Sequence, residues 1–327
     1  MRITTLKMGM GLMAALFAAF ATGPAAAQNF PTKPIHLIIP FSPPGGPVDL
    51  TVRPFAEKLG EFIGQPIIVE NMGGAGTMIG SDHVAKSAPD GYTLLITSAA
   101  IMIMPSSNPK MPFDLMRDLT PVGTVSQSTI VLVVDPRLGF RNVPDLVTYA
   151  KANPGKLSFG STGAGGSLHL GGEMLKLMAG IDMVHVPYKG AAGALIDIMG
   201  NNLSMTFVSM AAVLPLTKGG KIQPIAVASM KRNSSLPDLP TLDSLYPGFE
   251  VTASNSVLAP AKTPAANITR INQAMAKSLS SQYVKDAFAK SGVEPVISTP
   301  EEFGAAMKVE VARWAKVVKA INFVQTD

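Results

Sequence analysis

The sequence predicts an α/β protein of two lobes with a ligand cleft between them. Three observations carry this. Short apolar runs alternate with helical patterns, as βαβ units require. The alternation starts over at Ile130, so two sheets are expected in one chain of 327 residues. After Ala228 the chain turns proline-rich, then closes with a short strand and three helices, which read as a return to the first lobe. Two crossovers then join the lobes.

In the first lobe, Ile35 to Ile39 reads as a buried strand and Val48 to Ile63 as a helix. Strand Pro66 to Glu70, helix Met78 to Ser87, turn Pro89-Asp90-Gly91 and strand Tyr92 to Thr97 follow. The runs are apolar throughout, the mark of a parallel sheet covered on both faces. In the second lobe the strands are Ile130 to Val134, Lys156 to Gly160, Ile181 to Val186, Leu203 to Val208 and Ile222 to Ala228. Its helices are Val143 to Ala152 with Asn142 as N-cap, Ser167 to Ala179 and Ala191 to Gly200. PDGYTLLITSA and PGKLSFGSTGA form a weak internal echo. Beyond the proline-rich LPDLPTLDSLYPGF come strand Val257 to Pro260 and helices Pro264 to Ser280, Gln282 to Ser291 and Pro300 to Asn322. The expected lobes are 28–128 with 254–327, and 129–253. The hinge is expected near Gln127 to Ile130 and Thr252 to Ser256.

The first residues read as a secretory leader. Arg2 and Lys7 are basic, Met8 to Ala21 is apolar and uncharged, and Ala25-Ala26-Ala27 supplies the small residues of a cleavage site. Cleavage is expected after Ala27. The alternative is an N-terminal helix that stays. The apolar run falls short of the ~20 residues of a membrane span, and no later run approaches that length. A soluble periplasmic protein is expected. With no cysteine, a lipid-anchored cysteine, a disulfide and a thiolate metal site are excluded. The net charge of +5 is mild and no basic patch is interleaved with aromatics, so nucleic acid is not expected as a partner. Weak positive charge suits a small acidic ligand.

The stretch GSTGAGGS, Gly160 to Ser167, matches a phosphate-binding loop except that Gly166 stands where the lysine belongs. Three other loops end strands in the same way: Pro40 to Asp49, Glu70 to Thr77 and Thr97 to Ala99. Open α/β sheets bind ligands at the carboxyl ends of strands. Helix N-termini there offer free N–H donors and partial positive charge. A single such loop has an equal reading as turn glycine; four together favour a shared cleft. The donors expected there are Phe41, Ser42, Gly45 and Gly46; Ala75 and Gly76; Thr97 and Ser98; and Ser161, Thr162, Gly165 and Ser167. A triphosphate needs the absent lysine and a magnesium partner. A carboxylate needs only backbone donors and hydroxyls, so a carboxylate is expected, with no cofactor and no metal.

Asp49 has two readings: a helix-dipole contact, or an acceptor for a ligand hydroxyl or ordered water at the cleft. The four histidines form no close metal pair. His36 and His185 lie in strand patterns and read as structural. His169 either supports the Gly-rich loop or touches a ligand. A serine hydrolase using Ser167 and His169 is the reading from another class. Against it, His169 stands where the last glycine of a nucleophile elbow belongs, and no histidine follows His185. The nineteen methionines are scattered and read as core filler.

PTKPIHLIIPFSPPGGPVDLTVRPFAEKL, IIVENMGGAGTMIGSDHVAKSAPDGYTLL and GKLSFGSTGAGGSLHLGGEM resemble the Bug-type solute receptors of tripartite tricarboxylate transporters. So do HVPYKGAAGALIDIMGN, GKIQPIAVAS, LPDLPTL, PGFE and LAPAKTP, in the family's order. The resemblance covers nearly all of the chain beyond the leader. It implies a two-lobed periplasmic-binding-protein fold of type II-like form and no catalytic activity. It also implies capture of a small carboxylate for a membrane permease pair. A sensor reporting to a membrane kinase is the runner-up partner, and a monomer is expected. It adds the regions around Lys189 and after Phe207, including Ser209, to the ligand loops. Lys189 reads either as a partner for a second carboxylate or as a solvated loop lysine. Ser254-Asn255-Ser256 stands where relatives often carry Trp-x-Gly, and Met72-Gly73 where Arg-Pro is usual. Val208-Ser209 stands where some relatives place an acid.

Overall fold

The first strand shows how the chain builds its sheets. β1 (Ile35–Ile39) is paired on both edges, and only His36 escapes full burial. A strand covered on both faces must be apolar at nearly every position, which is the pattern its sequence carries. A computed structural model describes residues 30–42, 46–217, 219–233 and 236–324. The expected leader and Gly45 lie outside the described residues.

Helix α1 (Gly46–Ile63) and β2 (Ile67–Asn71) follow, then α2 (Met78–Ala85) and β3 (Thr93–Ser98). Three short helical segments lead to β4 (Leu119–Ser128), which passes through Thr129 alone into β5 (Ile130–Val134). The second lobe continues with α3 (Val143–Ala152), β6 (Ser158–Ser161), α4 (Ser167–Ala179), β7 (Val184–Pro187), α5 (Ala191–Met199), β8 (Met205–Ser209), α6 (Met210–Thr217) and β9 (Gln223–Val227). The chain returns as β10 (Ala253–Pro260), α7 (Ala265–Ser280), α8 (Gln282–Lys290), β11 (Glu294–Pro295) and α9 (Pro300–Ala320).

The first sheet has the order β11-β4-β10-β3-β1-β2, and the second β7-β6-β8-β5-β9. The two-lobed α/β expectation is met, but the sheets are mixed where parallel ones were expected. Strands β2, β1 and β3 are parallel, as are β7, β6 and β8. β10 runs against both β3 and β4, and β5 against both β8 and β9. The cause lies in the connections. Crossover helices return the chain to the same end and keep the trios parallel. β5 and β10 instead enter their sheets from the other lobe, at the end where the trio strands finish, so they run the opposite way. The two crossovers meet, since Ala253 pairs with Ser128.

β4 was not expected from the sequence, because Pro121 and Gly123 interrupt it. Gly123 has a packing cause: a Cβ there would lie 2.8 Å from Asn272 Nδ2. That amide donates to Val122 O and Ser298 O, both at 2.8 Å, and locks α7 onto the strand. Glycine also lets α4 sit close beneath the future site. A Cβ at Gly172 would lie 2.1 Å from the ring of Phe159, and one at Gly171 would lie 2.6 Å from Val251. Helix α9 packs on β4 and on α4, with Trp314 only 1% exposed in the core. Burying such a ring contributes roughly 1.5–3 kcal/mol.

Candidate functional site

Loops that follow β1, β2, β3 and β6 converge on one cavity of about 380 Å³. Pro40, Phe41, Ser42, Gly74, Gly76, Thr77, Ala100 and Met104 line it from the first lobe. Thr162, Ala164, Gly165 and Gly166 line it from the second. A larger cavity of about 660 Å³ lies between β4, α7 and α9, lined by residues such as Leu119, Thr263, Ile268 and Gly304. None of the glycine loops reaches it, and it draws on one lobe only. The smaller cavity therefore carries the functional argument.

The first loop is held by a chain of polar contacts. Asn71 Nδ2 donates to Phe41 O at 3.3 Å, and Arg53 Nη2 donates to Asn71 Oδ1 at 3.2 Å. Arg53 Nη2 also lies 3.2 Å from Asp49 Oδ1. The same Nη2 donates to Asp49 Oδ2 at 3.4 Å, while Oδ1 is buried without a hydrogen bond. Asp49 is 7% exposed in the first turn of α1, where its charge also meets the helix dipole. Gly73 lets the second loop touch the first: a Cβ there would lie 2.3 Å from both the N and Oγ of Ser42.

The second loop is left-handed at four successive residues. Gly74, Ala75, Gly76 and Thr77 have φ of 134°, 46°, 61° and 86°. Positive φ is uncommon for any residue with a Cβ and a true outlier for a β-branched one. Such strain costs on the order of 1–3 kcal/mol per residue and gathers at functional sites. Thr77 Oγ1 donates to Met104 Sδ at 3.3 Å, and Thr77 N to Gly74 O at 3.1 Å.

The Gly-rich loop rests on side chains beneath it. Ser161 Oγ donates to Gly163 O at 3.0 Å and accepts from Gly163 N at 3.2 Å. It also lies 2.7 Å from His185 Nε2. A hydroxyl has one proton, so with that proton on Gly163 O the imidazole must be the donor. Gly165 N donates to His169 Nδ1 at 3.1 Å. The two imidazole centroids are 4.0 Å apart, and Phe159 lies against both rings. Burial lowers each histidine from 6.5 to about 4, with the nearby Lys176 adding for His169 and the neighbouring His169 for His185. Both are neutral at pH 7.

Of the expected site residues, Phe41, Ser42, Gly76, Thr162 and Gly165 line the cavity. Ala75 belongs to the left-handed turn without lining it, and Gly46 begins α1. Thr97 is 1% exposed on β3 opposite Ser256, and its Oγ1 has no hydrogen bond. Ser98 ends β3 opposite Asn255. Ser161 and His169 are buried below the loop. Ser167 opens α4, and no hydrogen bond joins it to His169 among the described residues. Lys189 is exposed between β7 and α5, and Ser209 ends β8 opposite Ile130. The donors named from the sequence left out Pro40, Gly74, Thr77, Ala164 and Gly166, and sequence reasoning missed Ala100 and Met104 on the wall and Asn71 and Arg53 behind it. Gly74 and Thr77 stood inside a loop already singled out. Ala100 and Met104 lie in a stretch with no periodic signal.

The wall joins an apolar side, Phe41, Met104, Ala100 and Ala164, to hydroxyls on Ser42, Thr77 and Thr162. No Lys or Arg lines it among the described residues. Helix α4 starts there, and its N-cap Gly166 gives no side chain to cover the first amides. Such a surface can hold an anion by backbone donors and carry an apolar body beside it. Among the described residues no group of three or more His, Asp or Glu could hold a metal ion. None of their helices is long and apolar enough to cross a membrane.

A protein-family model described as the tripartite tricarboxylate transporter family receptor matches residues 51–323. Protein BugT of Bordetella pertussis is 36% identical over 322 residues, 98% of each chain. A solved structure described as a periplasmic transporter superposes with a TM-score of 0.74 at 35% identity, covering 90% of this chain and 99% of its own. An R. palustris protein solved with adipate has a TM-score of 0.74 at 33% identity, again covering 90% of this chain and 99% of its own.

Proposed function

Because this chain belongs to the tripartite tricarboxylate transporter receptor family, we propose that it is a periplasmic receptor that captures a small organic carboxylate and has no catalytic activity. One observation carries the reading. Loops from both lobes meet at a cavity of about 380 Å³ whose described wall offers hydroxyls, helix-start amides and apolar surface. The relative solved with adipate shows that a close fold of this kind accommodates a linear diacid. The lobes are taken as 28–128 with 254–327, and 129–253. They close over the acid by a hinge where Ser128 meets Ala253. The closed form is the one presented to the membrane subunits of a transporter, and the receptor acts as a monomer.

Thermal unfolding against a panel of carboxylates tests the reading, with adipate included and ATP–Mg²⁺ as control. A ligand at about 100 times its Kd stabilises the native state by about 2.7 kcal/mol. For a chain of this size that is a shift of at least ~2 °C. A selective shift with one acid class supports the proposal. A shift with ATP alone would sink it.

A further inference from the structure

We infer that His169 is a positioning residue, which fixes the Gly-rich loop from beneath by accepting the Gly165 N–H, so that a bound carboxylate is met by the amides at the start of α4 and not by Gly165. The inference rests on the receptor reading above.

The loop needs such a device. Gly163 and Gly165 stand at φ of 125° and 79°, and four of the eight residues in GSTGAGGS are glycines. Glycine loses more backbone freedom on ordering than any other residue. A loop of this composition does not hold one shape by itself. Two side chains supply what it lacks. Ser161 grips both polar groups of Gly163, and His169 grips the N–H of Gly165. His169 is 6% exposed and Ser161 1%, and neither lines the cavity, while Ala164, Gly165 and Gly166 do. The grip comes from the protein side of the loop.

The peptide unit is planar, so tying the Gly165 N–H to His169 sets the whole 164–165 unit. It also removes that N–H from the donors open to a ligand. The next amides belong to Gly166 and the first turn of α4, which no side chain caps. A carboxylate there gains the partial positive charge of the helix start. The imidazole is set in turn. His185 lies against its face at 4.0 Å, Phe159 at 6.2 Å and Phe323 edge-on at 5.3 Å. The charged groups on its own helix, Lys176 and Glu173, bond each other at 3.1 Å. A neutral ring protonated on Nε2 has Nδ1 free to accept, as the Gly165 contact requires.

The test compares His169→Leu with His169→Asn in the full chain, since the Asn carbonyl can take the place of Nδ1. The first readout needs no ligand: hydrogen exchange of the Gly165 amide by NMR. It is expected to be protected in wild type and His169→Asn and unprotected in His169→Leu. The second is adipate affinity. His169→Leu is expected to bind about tenfold more weakly, the effect of roughly one hydrogen bond, with His169→Asn within about threefold of wild type. Equal affinity in all three, equal loss in both variants, or an unprotected Gly165 amide in wild type would overturn the inference. If wild type binds no acid, the receptor reading fails while the exchange data still decide the role of His169. If His169→Leu does not fold, nitrogen-15 couplings of the wild-type ring decide: a proton on Nε2 supports the inference and one on Nδ1 overturns it.

Discussion

Arg313 Nη1 donates to Glu250 Oε2 at 2.7 Å, tying the last helix to the segment by which the chain leaves the second lobe. Arg313 also pairs with Glu310, whose other oxygen accepts the Trp314 indole N–H at 3.0 Å. The side chains of Arg313 and Glu250 are 16% and 21% exposed, so the pair is mostly withdrawn from water. Removing the cation leaves two partly buried carboxylates facing each other. Arg313→Met is expected to lose roughly 2–4 kcal/mol of stability, and Glu250→Gln only about 1 kcal/mol, since one partner of the arginine remains. Urea unfolding of the two variants checks the order; the reverse order would refute it.

Gly73 gives a prediction for binding. Its added Cβ would lie 2.3 Å from backbone and side-chain atoms of Ser42, so the two cavity loops must move apart. Overpacking of this kind costs roughly 1–3 kcal/mol. Gly73→Ala is expected to weaken carboxylate binding by about tenfold or more while leaving the circular dichroism spectrum unchanged. Calorimetric titration with whichever acid shifts the wild-type melting point is the check.

Strain predicts a gain in stability. Ala75 sits at φ 46°, a conformation that disfavours an L-residue by roughly 1–2 kcal/mol and glycine hardly at all. Ala75 is exposed and makes no cavity wall, so little packing is lost. After the larger entropy loss of glycine, Ala75→Gly is expected to stabilise the fold by about 0.5 kcal/mol. A fall in the urea midpoint would show that the turn is not strained in this way.

The histidine pair predicts a pH dependence. His169 and His185 titrate near 4 when folded, against an ordinary 6.5, because burial disfavours their charged forms. Between those values the unfolded chain binds more protons. The pair's contribution is therefore complete above about pH 6.5, falls as the pH drops toward 4, and changes no further below that. His169→Asn is expected to flatten the slope of stability against pH in that window. An unchanged slope between wild type and variant would count against a neutral, buried His169.

Much of the architecture was legible because it is local. The apolar run Ile130 to Val134 is a strand buried at every position. Asn142 caps its helix by accepting from Asp145 N at 2.8 Å, as the residue type suggests. The sequence carried the alternation of strands and helices, the second start at Ile130 and the glycine loops at strand ends. The resemblance to a receptor family was also readable there, and the family match bears it out.

Tertiary structure alone decided the rest. It placed β10 between β3 and β4, which made the first sheet mixed. It turned Ser161 and His169 beneath the loop while bringing Met104 to the wall. It set Ser161 against His185, 24 residues later, a pairing absent from the sequence reading, whose disfavoured hydrolase alternative had joined Ser167 to His169. Periodicity reports which face of a helix or strand is buried, because that depends on residues a few positions apart. Which side of a glycine loop faces a cleft depends on contacts between distant strands, and glycine, lacking a Cβ, leaves no pattern from which to read it.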